Sequence, residues 1–342
     1  MNSASDAPSV SGADRSVRLT GPTGIQMDTP LQARDDDAYF TASQATAARA
    51  YYEEHGYVVL RGVVPAEQCA RVSAFFDEQI KPYDDFIYRQ TTGNPEKHSL
   101  SARGHMMNPI LNVQDLPQSS FGQFRAAALD VIAGESIHQV LKAFFGEPAR
   151  LVQSMFFEGN PITPAHQDTY YLDSTAVGRM VAVWFAIEDI APGAGRFYVY
   201  PGSHRIALPK PSGDTSYSYH HDQYKAVVLK VIEDSALECR APALAAGDVL
   251  LWHPSTIHGS LSTTSPEASR RSFTGHYIPA STGLLQFRSR DKKLKLRPVN
   301  GMDVNHPKSR DRLINKLIFL AETRAPKQFR ALKRLAIRIL VG

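Results

Sequence analysis

Three side chains in this sequence have the types and spacing of a metal site. His166 and Asp168 stand two apart in Pro164-Ala165-His166-Gln167-Asp168-Thr169, and His258 follows far downstream in His253-Pro254-Ser255-Thr256-Ile257-His258-Gly259-Ser260. Two imidazoles and one carboxylate on one face of an octahedral ferrous ion leave the opposite positions open, which is the donor set of non-haem Fe(II) oxygenases. On extended backbone, positions i and i+2 share a side, so His166 and Asp168 can reach one ion while Gln167 turns away. His258 must then arrive on a strand distant in sequence. Arg270 heads Arg270-Arg271-Ser272-Phe273-Thr274-Gly275-His276-Tyr277-Ile278, which reads as a strand returning beside the metal. A guanidinium there can hold the remote carboxylate of a dicarboxylic cosubstrate through paired hydrogen bonds. Strand alternation alone leaves Arg271 as the alternative.

The same donor set would also accept another divalent metal, and the fold can persist as a catalytically inactive jelly-roll protein that binds metal or ligand. Zinc hydrolysis of the metalloprotease kind is disfavoured by the absence of a His-Glu-x-x-His motif.

Several further segments occur in a recognisable order: Tyr51-Tyr52-Glu53-Glu54-His55-Gly56-Tyr57-Val58-Val59-Leu60, the His-Gln-Asp triplet, Val183-Trp184-Phe185-Ala186-Ile187-Glu188-Asp189, Gly195-Arg196-Phe197, Pro201-Gly202-Ser203-His204, Gly247-Asp248-Val249-Leu250-Leu251, and the stretch from His258 to Arg270. With these motifs the chain, from roughly residue 51 to 280, resembles the phytanoyl-CoA dioxygenase family of Fe(II)/2-oxoglutarate oxygenases. The resemblance implies a mainly β fold with flanking helices around a double-stranded β-helix, the cupin-like jelly roll. It implies Fe(II), 2-oxoglutarate and O2 as reactants, and a dioxygenase that hydroxylates an unactivated C–H bond while releasing succinate and CO2. It also implies His166, Asp168 and His258 as metal ligands, Arg270 rather than Arg271 as the carboxylate anchor, and Thr169, Ser260, Gln153 and Trp184 around the cosubstrate. Arg103 and His105, in Ser101-Ala102-Arg103-Gly104-His105, fall where the family lines its substrate pocket from outside the jelly roll. The carboxylate at Asp168 favours hydroxylation over halogenation.

The elements that must position these residues follow from periodicity. Residues 1–38, rich in Ser, Asp, Gly and Pro, read as a flexible arm. The oxygenase domain is expected over 39–285, with its jelly-roll core from about residue 150. Helices are predicted over 42–54, from Pro65 onward, and over 121–132 and 137–145. Strands are predicted over 57–64, 151–158, 166–171, 180–188, 196–200, 225–232, 237–240, 248–252, 257–262 and 271–278. A loop over 208–224, carrying His220 and His221, would lie over the mouth of the site. His204 is expected to organise a loop, and His253 to face away from the metal.

A basic helical extension is expected over 286–342, with helices near 309–322 and 326–340. The last of these has an apolar face of Leu332, Leu335, Ala336 and Ile339 among purely basic charges. Docking on its own domain and peripheral contact with an anionic membrane are its two readings.

The net charge of +4 over 342 residues gives no nucleic-acid footprint. Two cysteines supply neither a disulfide framework nor a Cys-x-x-Cys metal motif. No leader or membrane-spanning run is evident, so a cytoplasmic protein is expected, in peripheral contact with the inner membrane face at most. The expected substrate is a small molecule or a lipid- or sugar-linked one, with tailoring of a soluble secondary metabolite as the runner-up. No obligate protein partner is indicated.

Overall fold

The structure, a computed structural model, describes residues 16–20, 26–30, 38–208, 221–287, 290–329 and 331. Ten strands frame the site: Tyr39–Thr41 (β1), Tyr57–Arg61 (β2), Ala149–Phe157 (β3), Val181–Ala186 (β4), Phe197–Val199 (β5), Val249–Trp252 (β6), His258–Ser260 (β7), Ser272–Pro279 (β8), Leu296–Val299 (β9) and Met302–Asn305 (β10). The large sheet runs β9-β10-β3-β8-β4-β6-β2-β1. Facing it, β5 pairs with β7, and this smaller sheet is extended by bridges from His166 to His258 and from Arg240 to Val199.

Alternation along β4 shows how the two faces are assigned. Val183 and Phe185 point to one side with Val58, Leu60, Phe156, Leu251 and Phe273, where the helices Ala45–His55 (α1), Ala66–Phe75 (α2), Gln118–Ile132 (α3) and Glu135–Phe145 (α4) pack. Ala182, Trp184 and Ala186 point to the other side and meet Phe197, Val199, Leu250 and Trp252 between the sheets. Both faces of the large sheet are therefore covered, which is why β4 is buried at every position. Each fully buried aliphatic or phenyl side chain there contributes roughly 1.5–3 kcal/mol by leaving water.

Three expectations from the sequence are corrected. The segment expected as a strand over 225–232 is the helix His221–Asp234 (α5). Its buried residues, Tyr224, Val228 and Val231, recur at helical spacing, which outweighs the strand preference of its valines. The stretch 166–171 is no continuous strand: His166 makes an isolated bridge, and Asp168–Tyr170 is a 3-10 turn. Over 237–240 only Arg240 pairs, opposite Val199.

The expected helical extension begins as β-structure. Leu284–Gln286 pairs with Arg290–Lys292, and β10 adds to the large sheet parallel to β3. The helix Leu313–Arg324 (α6) follows; of the segment expected as a helix over 326–340, residue 330 and those from 332 onward lie outside the described residues. The expected arm carries an antiparallel hairpin, Ser16–Thr20 with Gln26–Pro30. In the loop expected over 208–224, residues 209–220, including His220, also lie outside the described residues.

Candidate active site

His166 and His258 face each other as a reciprocal backbone pair, each N–H donating to the other's carbonyl at 3.0 Å. That pairing brings two residues distant in sequence to adjacent positions on the smaller sheet, with imidazole centroids 4.3 Å apart. Each ring donates its Nδ1–H to the carbonyl two residues before it, Pro164 for His166 and Thr256 for His258, both at 2.8 Å. The Nε2 lone pairs are thereby left free to ligate.

Gln167 is extended (φ −114°, ψ 137°), so Asp168 falls on the same side as His166 before the chain turns. Asp168 Oδ1 lies 3.5 Å from His166 Nε2 and 3.6 Å from His258 Nε2. One ligand atom from each residue lies within 4.8 Å of the others. This nitrogen, nitrogen, oxygen set, with Asp168 and His258 buried, His166 partly so and the tautomers already fixed, fits an open-faced ferrous ion.

The other carboxylate oxygen is held from behind. Trp252 Nε1–H donates to Asp168 Oδ2 at 2.8 Å, and His276 Nε2 approaches the same atom at 3.4 Å. Burial alone would raise the Asp168 carboxyl, but the surrounding imidazoles of His258, His276 and His166 hold it well below its usual range. Burial pushes the His258 imidazole down to about 3, which keeps it in the neutral, ligating form.

Clamping the triplet from outside, Tyr224 of α5 accepts from the Gln167 backbone N–H at 2.8 Å and donates to its carbonyl at 3.1 Å. The Gln167 side chain donates to the Ser255 carbonyl at 2.6 Å. Beside the ligands, a Cβ on Gly259 would come within 2.4 Å of Tyr198 Oη and 2.6 Å of the Thr163 carbonyl, so only glycine lets the β7 backbone approach so closely.

A cavity of about 70 Å³ joins these ligands to Arg270. Arg270 is only 2% exposed, and its Nη1–H donates to the Gly195 carbonyl at 2.8 Å while its buried Nε has no hydrogen-bond partner. Gly195 has φ +80°, and a Cβ there would strike Asn160 Nδ2 at 2.0 Å. Burial lowers the guanidinium to about 10, so it remains a cation at neutral pH. A buried cation without an anionic partner is costly, and a carboxylate arriving in the cavity would satisfy it. Arg271 faces the opposite side, where it pairs with Asp77 at 2.7 Å and Glu158 at 3.4 Å. Of the two arginines, Arg270 is the one that lines the cavity.

Of the other residues expected at the site, Ser260 and Trp184 line the cavity. Ser260 Oγ accepts from the Thr163 N–H at 2.7 Å. Thr169 is turned away and donates to Asp173 at 2.8 Å. Gln153, opposite His276 in the β3–β8 pairing, is not among the cavity residues; Met155 and Phe157 from the same strand are. Arg103 is exposed, and neither it nor His105 lines the cavity. His204 contacts the Glu53 carbonyl and His253 sits beside it, both away from the ligands, as expected.

Trp252, Thr274, His276 and Gln90 line the cavity without having been expected there. Alternation from Arg270 along its strand would have picked out Thr274 and His276.

A family model described as phytanoyl-CoA dioxygenase (PhyH) matches residues 52–272. Among curated relatives, the human peroxisomal phytanoyl-CoA dioxygenase is 25% identical over 252 residues, covering 68% of this chain and 68% of its own. The 1-deoxypentalenic acid 11-beta-hydroxylase of Streptomyces arenae is also 25% identical over 252 residues, covering 68% of this chain and 80% of its own. Among solved structures, the non-heme alpha ketoglutarate dependent carbocyclase SnoK from nogalamycin biosynthesis has a TM-score of 0.54 at 18% identity, covering 72% of this chain and 89% of that one. The epimerase SnoN, in complex with Fe3+, alpha ketoglutarate and nogalamycin RO, has a TM-score of 0.53 at 18% identity, covering 72% and 87%. These likenesses agree with the two facing sheets in placing the fold among the jelly rolls.

Proposed function

The chain belongs to the phytanoyl-CoA dioxygenase family of Fe(II)/2-oxoglutarate oxygenases, and from that premise we propose that it hydroxylates an unactivated C–H bond of a small-molecule or lipid- or sugar-linked substrate. His166, Asp168 and His258 would hold Fe(II), with Arg270 pairing to the distal carboxylate of 2-oxoglutarate. When bound, the iron supplies O2 activation coupled to decarboxylation of 2-oxoglutarate to succinate and CO2. Trp252 and His276 engage Asp168 Oδ2 from behind, which would leave Oδ1 to hold the ion. Trp184, Phe157 and Phe197 wall the cavity with apolar surface, which excludes water and strengthens the Arg270 pairing. Ser260, whose Oγ is fixed by Thr163, offers its hydroxyl to the same end.

The observation that carries this reading is the placement of a buried, incompletely paired cation and a preset two-histidine, one-carboxylate cluster at one cavity. Neither inactive binding nor zinc hydrolysis calls for both. The test is Fe(II)-dependent conversion of 2-oxoglutarate to succinate with O2 uptake. Turnover in the wild type that disappears in His166→Ala supports the reading; an iron-loaded wild type that makes no succinate, even with a broad panel of substrates, overturns it in favour of a binding protein.

The relative from Streptomyces arenae, a hydroxylase of 1-deoxypentalenic acid by its name, gives a second substrate reading, tailoring of a soluble secondary metabolite. The oxygenase unit is proposed over 39–285, followed by an extension whose strands β9 and β10 add to the edge of the large sheet.

A further inference from the structure

Helix α6 displays an apolar stripe to solvent. Leu313, Ile314, Leu317 and Leu320 are 73%, 58%, 54% and 42% exposed, while Asn315 and Phe319 on the opposite face are buried against the domain. The spacing is that of one helix face. Arg312, Lys316 and Arg324, all exposed, flank the stripe. From Lys308 to the C-terminus the sequence carries ten lysines and arginines against two carboxylates, Asp311 and Glu322, so the rest of the chain is net acidic. Both carboxylates are already engaged: Asp311, itself exposed, pairs with Arg125 and accepts from the Gln118 N–H, and Glu322 accepts from Tyr88 Oη at 2.6 Å. Outward, the helix therefore presents aliphatic side chains rimmed by cations.

Beside the stripe lies a groove of about 410 Å³, lined by Arg310, Lys316 and Arg324 together with the hydroxyl-bearing Ser119 and Ser120; one carboxylate, Asp85, also lines it. Arg310 stacks on Phe319 at 3.5 Å, and its Nε and Nη1 are buried without hydrogen-bond partners. Unpaired guanidinium N–H groups next to two further cations are the recognition chemistry of a phosphate.

We propose that α6 and this groove dock the protein on an anionic phospholipid bilayer, the stripe entering the interface and Arg310, Lys316 and Arg324 taking lipid phosphate. The charge pattern selects this occupant over the chain's own tail or a symmetric α6-to-α6 contact with a second copy, since each of those would bring further cations to a cationic face. The groove and the active-site cavity share a stretch of chain. Phe86 lines the groove and Gln90 lines the active-site cavity, a separation of at most ~14 Å along the chain.

The experiment is flotation of the full-length protein with phosphatidylcholine vesicles, with and without phosphatidylglycerol, for the wild type, Leu313→Glu/Leu317→Glu, Lys316→Glu/Arg324→Glu, and the tail variant Leu332→Glu/Leu335→Glu. The expected result is binding to the anionic vesicles only, weakened roughly tenfold or more in both α6 variants. No binding by the wild type overturns the proposal. So does loss in the tail variant with the α6 variants unchanged. Displacement by inorganic phosphate at matched ionic strength would make the groove a site for free phosphate and overturn the lipid assignment. A concentration-dependent dimer that Leu313→Glu/Leu317→Glu dissociates, without vesicle binding, would assign the stripe to a second copy. The assay needs neither iron nor 2-oxoglutarate, so its failure leaves the oxygenase reading standing, and failure of turnover leaves docking standing.

Discussion

The inter-sheet cavity and helix α6 invert the usual distribution of polarity in opposite directions. Inside, a carboxylate, several imidazoles and a guanidinium are held out of water among aromatic walls; outside, four aliphatic side chains are held in water among cations. Soluble folds avoid both arrangements, because the first forfeits hydration of charge and the second forfeits burial of apolar surface. The difference lies in how each deficit is met. The interior is largely satisfied by the protein itself, through Nδ1 contacts to carbonyls, the Trp252 indole and the Tyr224 clamp; among the described residues, the buried nitrogens left unpaired at the cavity include Arg270 Nε and His276 Nδ1. The stripe on α6 has no such internal compensation and asks for an external surface.

This contrast predicts separable lesions. Asp168→Ala removes a ligand, and its effect on iron should be the largest: Fe(II) affinity should fall by more than the roughly 10–100-fold cost of losing an outer partner, with succinate formation at background. Iron stoichiometry after desalting checks it, and vesicle flotation should be unchanged. Arg270→Gln leaves iron in place but removes the anchor, so the Kd for 2-oxoglutarate should rise by about 100-fold or more, the scale of a broken buried ion pair. Titration of the iron-loaded variant reads this directly, and an unchanged Kd would transfer the anchoring role elsewhere. Trp252→Phe keeps the aromatic wall and deletes only the N–H held by Asp168 Oδ2. A loss of about tenfold in iron affinity with little change in 2-oxoglutarate binding is expected, and no loss would show that His276 orients the carboxylate unaided. Tyr224→Phe should have the smallest effect, about 1 kcal/mol in stability by denaturant titration, because each hydrogen bond to the Gln167 backbone is worth little net.

Much of the interior was legible in the sequence because strands encode their faces with a period of two. His166 and Asp168 converge across a single extended residue; alternation left Arg270 and Arg271 open, and the family resemblance pointed to Arg270, which lines the cavity. The same rule, followed further along β8, would have supplied Thr274 and His276. Trp252 was hidden for another reason: its contact with Asp168 is a tertiary one between β6 and a 3-10 turn, and no local pattern announces it. Thr169 shows the limit of reasoning by adjacency to a ligand, since the turn that begins at Asp168 rotates it towards Asp173. Helix α5 was misread because Val227, Val228 and Val231 favour strand locally, whereas the burial of Tyr224, Val228 and Val231 follows a helical stripe. The α6 stripe could not be distinguished from a docked helix by periodicity, because only the fold determines which face of an amphipathic helix finds a partner.

The central claim, that one cavity binds both Fe(II) and 2-oxoglutarate, is tested most directly by adding both anaerobically to the metal-free protein and recording the visible spectrum. A weak metal-to-ligand charge-transfer band in the wild type, absent in Asp168→Ala and weakened at equal 2-oxoglutarate in Arg270→Gln, is the predicted result. A spectrum without that band, from protein shown to leave iron unbound, would contradict the claim.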